Sequence, residues 1–255
     1  MLFFKRILQP PPPPAAPEAP RVERRSTRRF TINPKFPLKA VLSFVPRDDT
    51  GAPMNTSRHG WNWKGRLFDC SEQGARIVMG PTLKVEARDL CDLSLTIDDF
   101  NLNIPCHISN LREHDGGMIF GLKHNIAEEA TRIAYQQLLE VLALGSALKL
   151  QSRTAKPDAT GYLVEVYASD RPARLTIWRH KEDKSVGAFE FQLKDSLVRG
   201  AAGRAVRILA GTGADARPAP AAKAMEIQRL FHWVVPNLAA SVPEDVRIFL
   251  QKFVA

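Results

Sequence analysis

From residue 21 to about residue 124 the chain reads as short β-strand candidates parted by turn formers, with apolar residues alternating where the pattern is clearest. That spacing is what most limits the folds open to this chain. Asp92 to Ile97 shows it plainly, with Leu93, Leu95 and Ile97 on one face. Leu38 to Val45, bracketed by Pro37 and Pro46, is a second strand candidate. Trp63–Phe68, Ala75–Met79, Ile104–Leu111 and Met118–Lys123 complete the set. Turn formers separate them: Asp48, Asp49, Gly51, Pro53 and Asn55 in the polar Arg47–His59 loop, and Asp115-Gly116-Gly117 near the end. Six or so short strands joined by turns predict a small barrel.

Helical spacing follows. Ile126, Ala130, Ile133, Ala134, Leu138, Val141 and Leu142 form one apolar stripe, with Asn125 as the expected N-cap and Glu128 three residues on. The stripe should pack against the barrel or a partner helix. Residues 151–255 change character. A polar linker is expected from Ser152 to Asp158, then an antiparallel meander of three strands, Tyr162–Tyr167, Ala173–Trp178 and Ala188–Leu193. After Asp195 comes an Arg-, Gly- and Ala-rich region, including a stretch from Gly211 to Pro220 that reads as flexible. One helix should run from about Ala221 to Val235, stopping before Pro236. A last one should begin with Ser241 as cap and Glu244 at its third position. The fold class is therefore mainly β with α, in three parts. Residues 1–20 form a proline-rich tail expected to be a disordered spacer. Residues 21–150 form the barrel and its helix, and residues 151–255 a small α+β domain.

The 255 residues are 44% hydrophobic and 25% charged, as in a globular protein, and carry a net charge of +9. That balance favours anionic partners. Cys70, Cys91 and Cys106 are scattered and odd in number, which argues against a disulfide framework or a zinc site and for reduced thiols. No stretch approaches the roughly 20 apolar residues that cross a bilayer. The opening Met1–Leu8 is too short, with its charges after the apolar part, for a signal peptide. A cytoplasmic location is expected.

Two motifs carry the chemistry. Arg25-Ser-Thr-Arg-Arg29 is an RxxxR pair within a stretch holding five arginines between Arg21 and Arg29, opposed only by Glu23. A guanidinium fork grips two phosphate oxygens or the O6 and N7 acceptors of guanine, and it stacks on a purine face. Asp69-Cys-Ser71-Glu-Gln-Gly74 is a DxSxxG between two strand candidates. Asp69 and Ser71 favour a tight turn, and Gly74 admits a positive φ and a close backbone approach. A basic fork followed by a polar turn suits a ligand that is both phosphodiester and purine.

Together the two motifs resemble the PilZ domain, a bacterial receptor for cyclic di-GMP. Glu23–Phe30 looks like its start, Asp69–Ile77 like its second signature, and Gly117–Lys123 like its final strand. The resemblance covers about Arg21 to Leu150 and implies a six-stranded antiparallel β-barrel. It also implies that Arg25 and Arg29 engage phosphates and guanine edges. Asp69, Ser71 and Gly74 would contact the base and shape the turn. Arg24, just before the first motif, would stack on a second nucleotide of an intercalated cyclic di-GMP dimer. Two departures stand out: the Arg47–His59 loop is longer than the family's usual first hairpin, and Ala87-Arg88-Asp89 stands where the family often has Gly-Asp. Trp61 and Trp63 near the binding edge read as barrel packing.

The expected function is a non-enzymatic receptor with no cofactor and no metal. The six histidines show no metal spacing, no phosphate-binding glycine loop precedes a helix, and no nucleophile with base and orienting partner stands out. Nucleotide binding would order the mutually repelling arginine segment and so act on a protein partner, with the C-terminal domain the expected docking part. The alternative is a PilZ-like protein–protein adaptor that ignores nucleotide, which would need neither the arginines nor the DxSxxG. Nucleic acid is not the expected partner, because the basic cluster is local rather than an extended track.

Overall fold

A computed structural model describes residues 27–44, 62–80 and 85–254. The proline-rich tail, Arg24, Arg25, Trp61 and the Arg47–His59 loop lie outside the described residues.

The first half is a closed antiparallel barrel. Its strands are β1 (Phe30–Thr31), β2 (Lys39–Phe44), β3 (Asn62–Ser71), β4 (Gly74–Met79), β5 (Leu90–Ile97), β6 (Phe100–His114) and β7 (Gly117–His124). Six of them form a ring in the order β3-β2-β5-β6-β7-β4, with β4 pairing back to β3. The short β1 pairs the end of β3, Phe30 opposite Cys70 and Thr31 opposite Asp69, beyond the point where β2 has stopped. The two-residue alternation explains the closure. Cys91, Leu93, Leu95 and Ile97 of β5 all point inward, into one core with Leu42 and Ile104 from the two neighbouring strands and Ile77 and Phe120 from farther round the ring. Closing the ring removes the open sheet edges that would otherwise invite aggregation. Trp63 packs on this core, as expected.

The predicted helix is α1 (Glu129–Ser146), and it serves two cores at once. Tyr135, Leu138, Leu139, Leu142 and Ala143 join the barrel core, while Val141 and Leu144 join that of the C-terminal region. Asn125 does not cap it. Glu128 holds the cap position without a side-chain bond, and the Asn125 amide instead donates to the Pro105 carbonyl at 2.8 Å.

The C-terminal sheet has seven strands where the sequence pattern predicts three. They are β8 (Lys149–Arg153), β9 (Tyr162–Ala168), β10 (Ala173–His180), β11 (Val186–Leu193), β12 (Ser196–Ala201), β13 (Arg207–Ala210) and β14 (Arg217–Pro218), a meander in chain order. The three predicted strands are its centre. β8 has every side chain exposed and so shows no apolar alternation, which left its composition without a strand signal. It takes up the start of the expected linker. The expected flexible stretch supplies a 3₁₀ turn over Gly213–Asp215 and the edge strand β14.

Helices α2 (Ala221–Val234) and α3 (Glu244–Gln251) cover one face of this sheet, with a 3₁₀ turn over Val235–Asn237 between them. Pro243, not Ser241, stands at the cap of α3; the Ser241 hydroxyl donates to the Leu148 carbonyl at 2.6 Å. The halves are stitched together here. Buried Asn237 accepts from the Asn33 amide at 2.8 Å and donates to the Leu142 carbonyl at 3.3 Å. Trp233 donates to Asp98 at 2.7 Å. Among the described residues, no helix is long and apolar enough to cross a membrane.

Candidate functional site

The DxSxxG motif closes the β3–β4 hairpin. Ser71 and Gly74 pair across it, leaving Glu72 and Gln73 exposed at the tip. The buried Ser71 hydroxyl donates to the Gly74 carbonyl at 3.1 Å, which holds the turn from within. Two outside elements fix it further. The Tyr135 hydroxyl on α1 donates to the Ser71 carbonyl at 3.0 Å, and the His124 amide on β7 donates to the Gln73 carbonyl at 3.0 Å. The turn is therefore held by the protein's own groups on three sides.

Gly74 is required for a different reason from the one its motif suggests. Its φ is not left-handed. A Cβ there would stand 2.1 Å from the Leu122 carbonyl oxygen on β7. Glycine lets β4 and β7 come close enough to seal the barrel, directly beneath the turn.

Asp69 joins the two motifs. It is 2% exposed, and its carboxylate accepts from Arg29 at 2.6 Å and from Arg76 Nε at 2.7 Å. Arg76 also forms a closer contact with the same oxygen, and its guanidinium lies 4.8 Å from the Phe68 ring centroid. Burying one carboxylate between two guanidiniums satisfies the carboxylate and leaves the cluster with an excess positive charge. Most N–H donors of Arg29 stay unused by Asp69 and remain available to an anion.

Of the predicted site residues, Arg29, Asp69, Ser71 and Gly74 thus converge on one corner of the barrel, and Arg24 and Arg25 lie outside the described residues. Arg76 was missed. Its signal is arithmetical: with Ser71 opposite Gly74, register places Asp69 opposite Arg76. Tyr135 was missed too, although it lies three residues before Leu138 and so shares its helical face.

Cys70 sits between Asp69 and Ser71, fully buried, and burial pushes its thiol up to about 12, so it packs rather than reacts. His124 packs edge-on against Tyr135 with ring centroids 4.7 Å apart, and neither ring nitrogen has a hydrogen-bond partner. Burial lowers its pKa to about 4, against the opposing pull of the nearby Glu72 backbone and with the help of the Arg29 charge, so the ring is neutral. Two hollows flank the turn and share Glu72 and Gln136. One, of about 430 Å³, is rimmed by Lys123, His124 and Arg132. The other, of about 560 Å³, is bordered by Thr27, Arg28 and Phe30 of the arginine segment. Among the described residues no group of side chains could hold a metal ion.

Comparison with known proteins bears on the barrel half of the chain. The PilZ domain family model matches residues 23–141. A solved structure, the PilZ domain with c-di-GMP of YcgR from Escherichia coli, is similar at 9% identity with a TM-score of 0.35; the match covers 47% of this chain and 92% of that one. No curated protein matches the chain.

Proposed function

From the premise that residues 23–141 are a PilZ domain, we propose that this chain is a cyclic di-GMP receptor that performs no chemistry on its ligand. The observation that carries the reading is the Arg29–Asp69 contact at 2.6 Å, which ties the RxxxR and DxSxxG motifs into one cationic corner beside a rigid turn. Arg25 and Arg29 are assigned to the phosphates and guanine edges. Asp69 holds the Arg29 and Arg76 forks in place, and Ser71 and Gly74 set the turn against which the base lies. Arg24 stacks on the second nucleotide of an intercalated dimer. Neutralising the Arg21–Arg29 charges draws that segment onto the barrel, and the C-terminal region passes the change to a protein partner. The ligand shifts that equilibrium only by its differential affinity for the two arrangements.

Calorimetric titration of cyclic di-GMP into the wild type and into Arg25→Ala/Arg29→Ala tests the reading. Micromolar or tighter binding that vanishes in the double variant is the expected result. A stoichiometry near two nucleotides per chain supports the dimer role of Arg24, and one near one removes it. A folded wild-type protein that takes up no nucleotide overturns the receptor reading and leaves the adaptor alternative.

A further inference from the structure

The larger of the two hollows is not walled by the barrel alone. Its sides are the arginine segment at Thr27, Arg28 and Phe30, the α1 face at Gln136 and Glu140, and Arg171. Arg171 lies in the turn between β9 and β10, outside the residues that match the PilZ domain. Its neighbour Asp170 forms an ion pair with Arg28, inside the RxxxR motif, so this turn is held directly beside the motif. The turn is itself built to a shape. The Ser169 hydroxyl donates to the Arg171 carbonyl at 3.0 Å and accepts from the Arg171 amide at 3.1 Å. The Arg171 guanidinium, in contrast, makes no side-chain hydrogen bond or close ion pair among the described residues, and its charge acts only at longer range on Asp170.

The charges leave room for an anion. Arg28 is engaged by Asp170. Glu140 on the opposite wall is neutralised by Lys194 at 2.8 Å. Glu72 at the hairpin tip is the remaining carboxylate on the wall, and Arg171 the remaining cation. At about 560 Å³ the hollow is of the size that takes a nucleotide-like ligand. It meets the second hollow at Glu72 and Gln136; neither is lined by Arg29 or Asp69, but the wall residues Arg28 and Phe30 flank Arg29 in the chain. Glutamine amides on its wall offer both a donor and an acceptor, as a guanine edge requires.

We infer that the nucleotide site of this chain extends into this hollow, and that Arg171 supplies a phosphodiester- or guanine-binding fork from the C-terminal region. The inference rests on the receptor reading above and deepens it. It gives that region a direct contact with the ligand: one cyclic dinucleotide bridges the arginine segment, α1 and the β9–β10 turn. Uptake of ligand then bears on both halves of the molecule without any relay through the core.

The test is calorimetric titration of cyclic di-GMP into four full-length proteins: wild type, Arg29→Ala, Arg171→Ala and Arg204→Ala. Arg204 removes the same charge from the opposite end of the C-terminal sheet, in the β12–β13 turn. Arg171→Ala should bind roughly tenfold more weakly or worse, as loss of a charge-assisted fork implies. Its melting temperature should be unchanged, since the side chain is exposed. Arg204→Ala should bind like the wild type. Wild-type affinity in Arg171→Ala, with binding still abolished in Arg29→Ala, overturns this inference and leaves the receptor reading standing. Equal losses in Arg171→Ala and Arg204→Ala also overturn it, because net charge alone then accounts for both. A folded wild type that binds no cyclic di-GMP overturns the receptor reading, and this inference falls with it.

Discussion

The barrel and the C-terminal sheet are both antiparallel and similar in strand number, yet they are stabilised in opposite ways. The barrel closes on itself, so every one of its ring strands is paired on both sides. Its core lies inside the ring, and α1 adds a cover at one end. The C-terminal sheet never closes. It runs from β14 to β8 in a single row and buries its apolar face only because α1, α2 and α3 lie on it. A closed ring can hold a rigid hairpin at its rim, and that is where the two motifs meet. An open sheet depends on its helices, and among the described residues it lines the larger hollow through Arg171 of the β9–β10 turn. The contrast teaches where each half should fail.

The barrel should fail at its seam. Gly74→Ala puts a methyl group 2.1 Å from the Leu122 carbonyl, and neither backbone can yield without breaking the β4–β7 ladder. We expect a loss of ~4 kcal/mol or more, above the usual cost of overpacking because the obstacle is backbone rather than side chain. Gly80→Ala, where a Cβ meets nothing within 4 Å, should change little. Denaturant midpoints of the two variants measure the difference. Similar midpoints would mean that the barrel is not held by its closure.

The C-terminal region should fail where α3 meets the sheet. Glu165 on β9 is 3% exposed and accepts from the Tyr167 hydroxyl at 2.8 Å. Arg153 approaches it at 2.8 Å and Arg179 at 3.2 Å. Arg179 also pairs with Asp245 of α3 and donates to the Lys184 carbonyl at 2.9 Å. Arg179→Ala strips a buried carboxylate of one partner and unhooks α3, which should cost ~3 kcal/mol. The loss should be smaller in Arg179→Lys, which keeps the charge but not the fork. Equal losses would show that the network acts by packing alone.

Whether the two halves unfold as one depends on the stitching at Asn237. Asn237→Ala leaves the Asn33 amide without its side-chain partner, while the Leu142 carbonyl keeps the Ser146 hydroxyl, and should cost ~2 kcal/mol. With α1 in both cores, unfolding should still be a single transition by tryptophan fluorescence and by circular dichroism. Two resolved transitions in Asn237→Ala would show that this asparagine, rather than the shared helix, makes the halves cooperative.

The same contrast governs how much could be read from the sequence. The barrel was legible because its strands are half-buried and alternate, as β5 does at every position. The candidate corner was legible where chemistry and turn coincide, since Arg29, Asp69 and Ser71 do come together there. Gly74 was found for the wrong reason, since a glycine chosen for close strand approach looks the same in sequence as one chosen for φ. β8 and β14 were not legible, because a strand whose side chains are all exposed shows no alternation of buried and exposed positions. Arg171 gave no signal at all. A lone arginine in a turn acquires meaning only when folding carries it to a motif well over a hundred residues earlier in the chain.

His124 offers the finest distinction between the halves, because it ties barrel stability to pH at the site end alone. Its folded pKa of about 4 lies below the ordinary 6.5 of an unfolded histidine, burial being the main cause. Between those values the unfolded chain binds the proton more readily than the folded one, so unfolding takes up protons and stability falls as pH falls. The loss begins near pH 6.5 and is complete near pH 4. By pH 5 it should amount to ~2 kcal/mol from this residue. His124→Phe, which keeps the edge-on contact with Tyr135, should remove that part of the slope. Denaturant unfolding of the two proteins at pH 7, 6 and 5 measures it. Parallel slopes would show that the ring is hydrated at the turn and not sealed beneath it. The pre-set geometry of the hairpin would then need another explanation than the Tyr135–His124 pair.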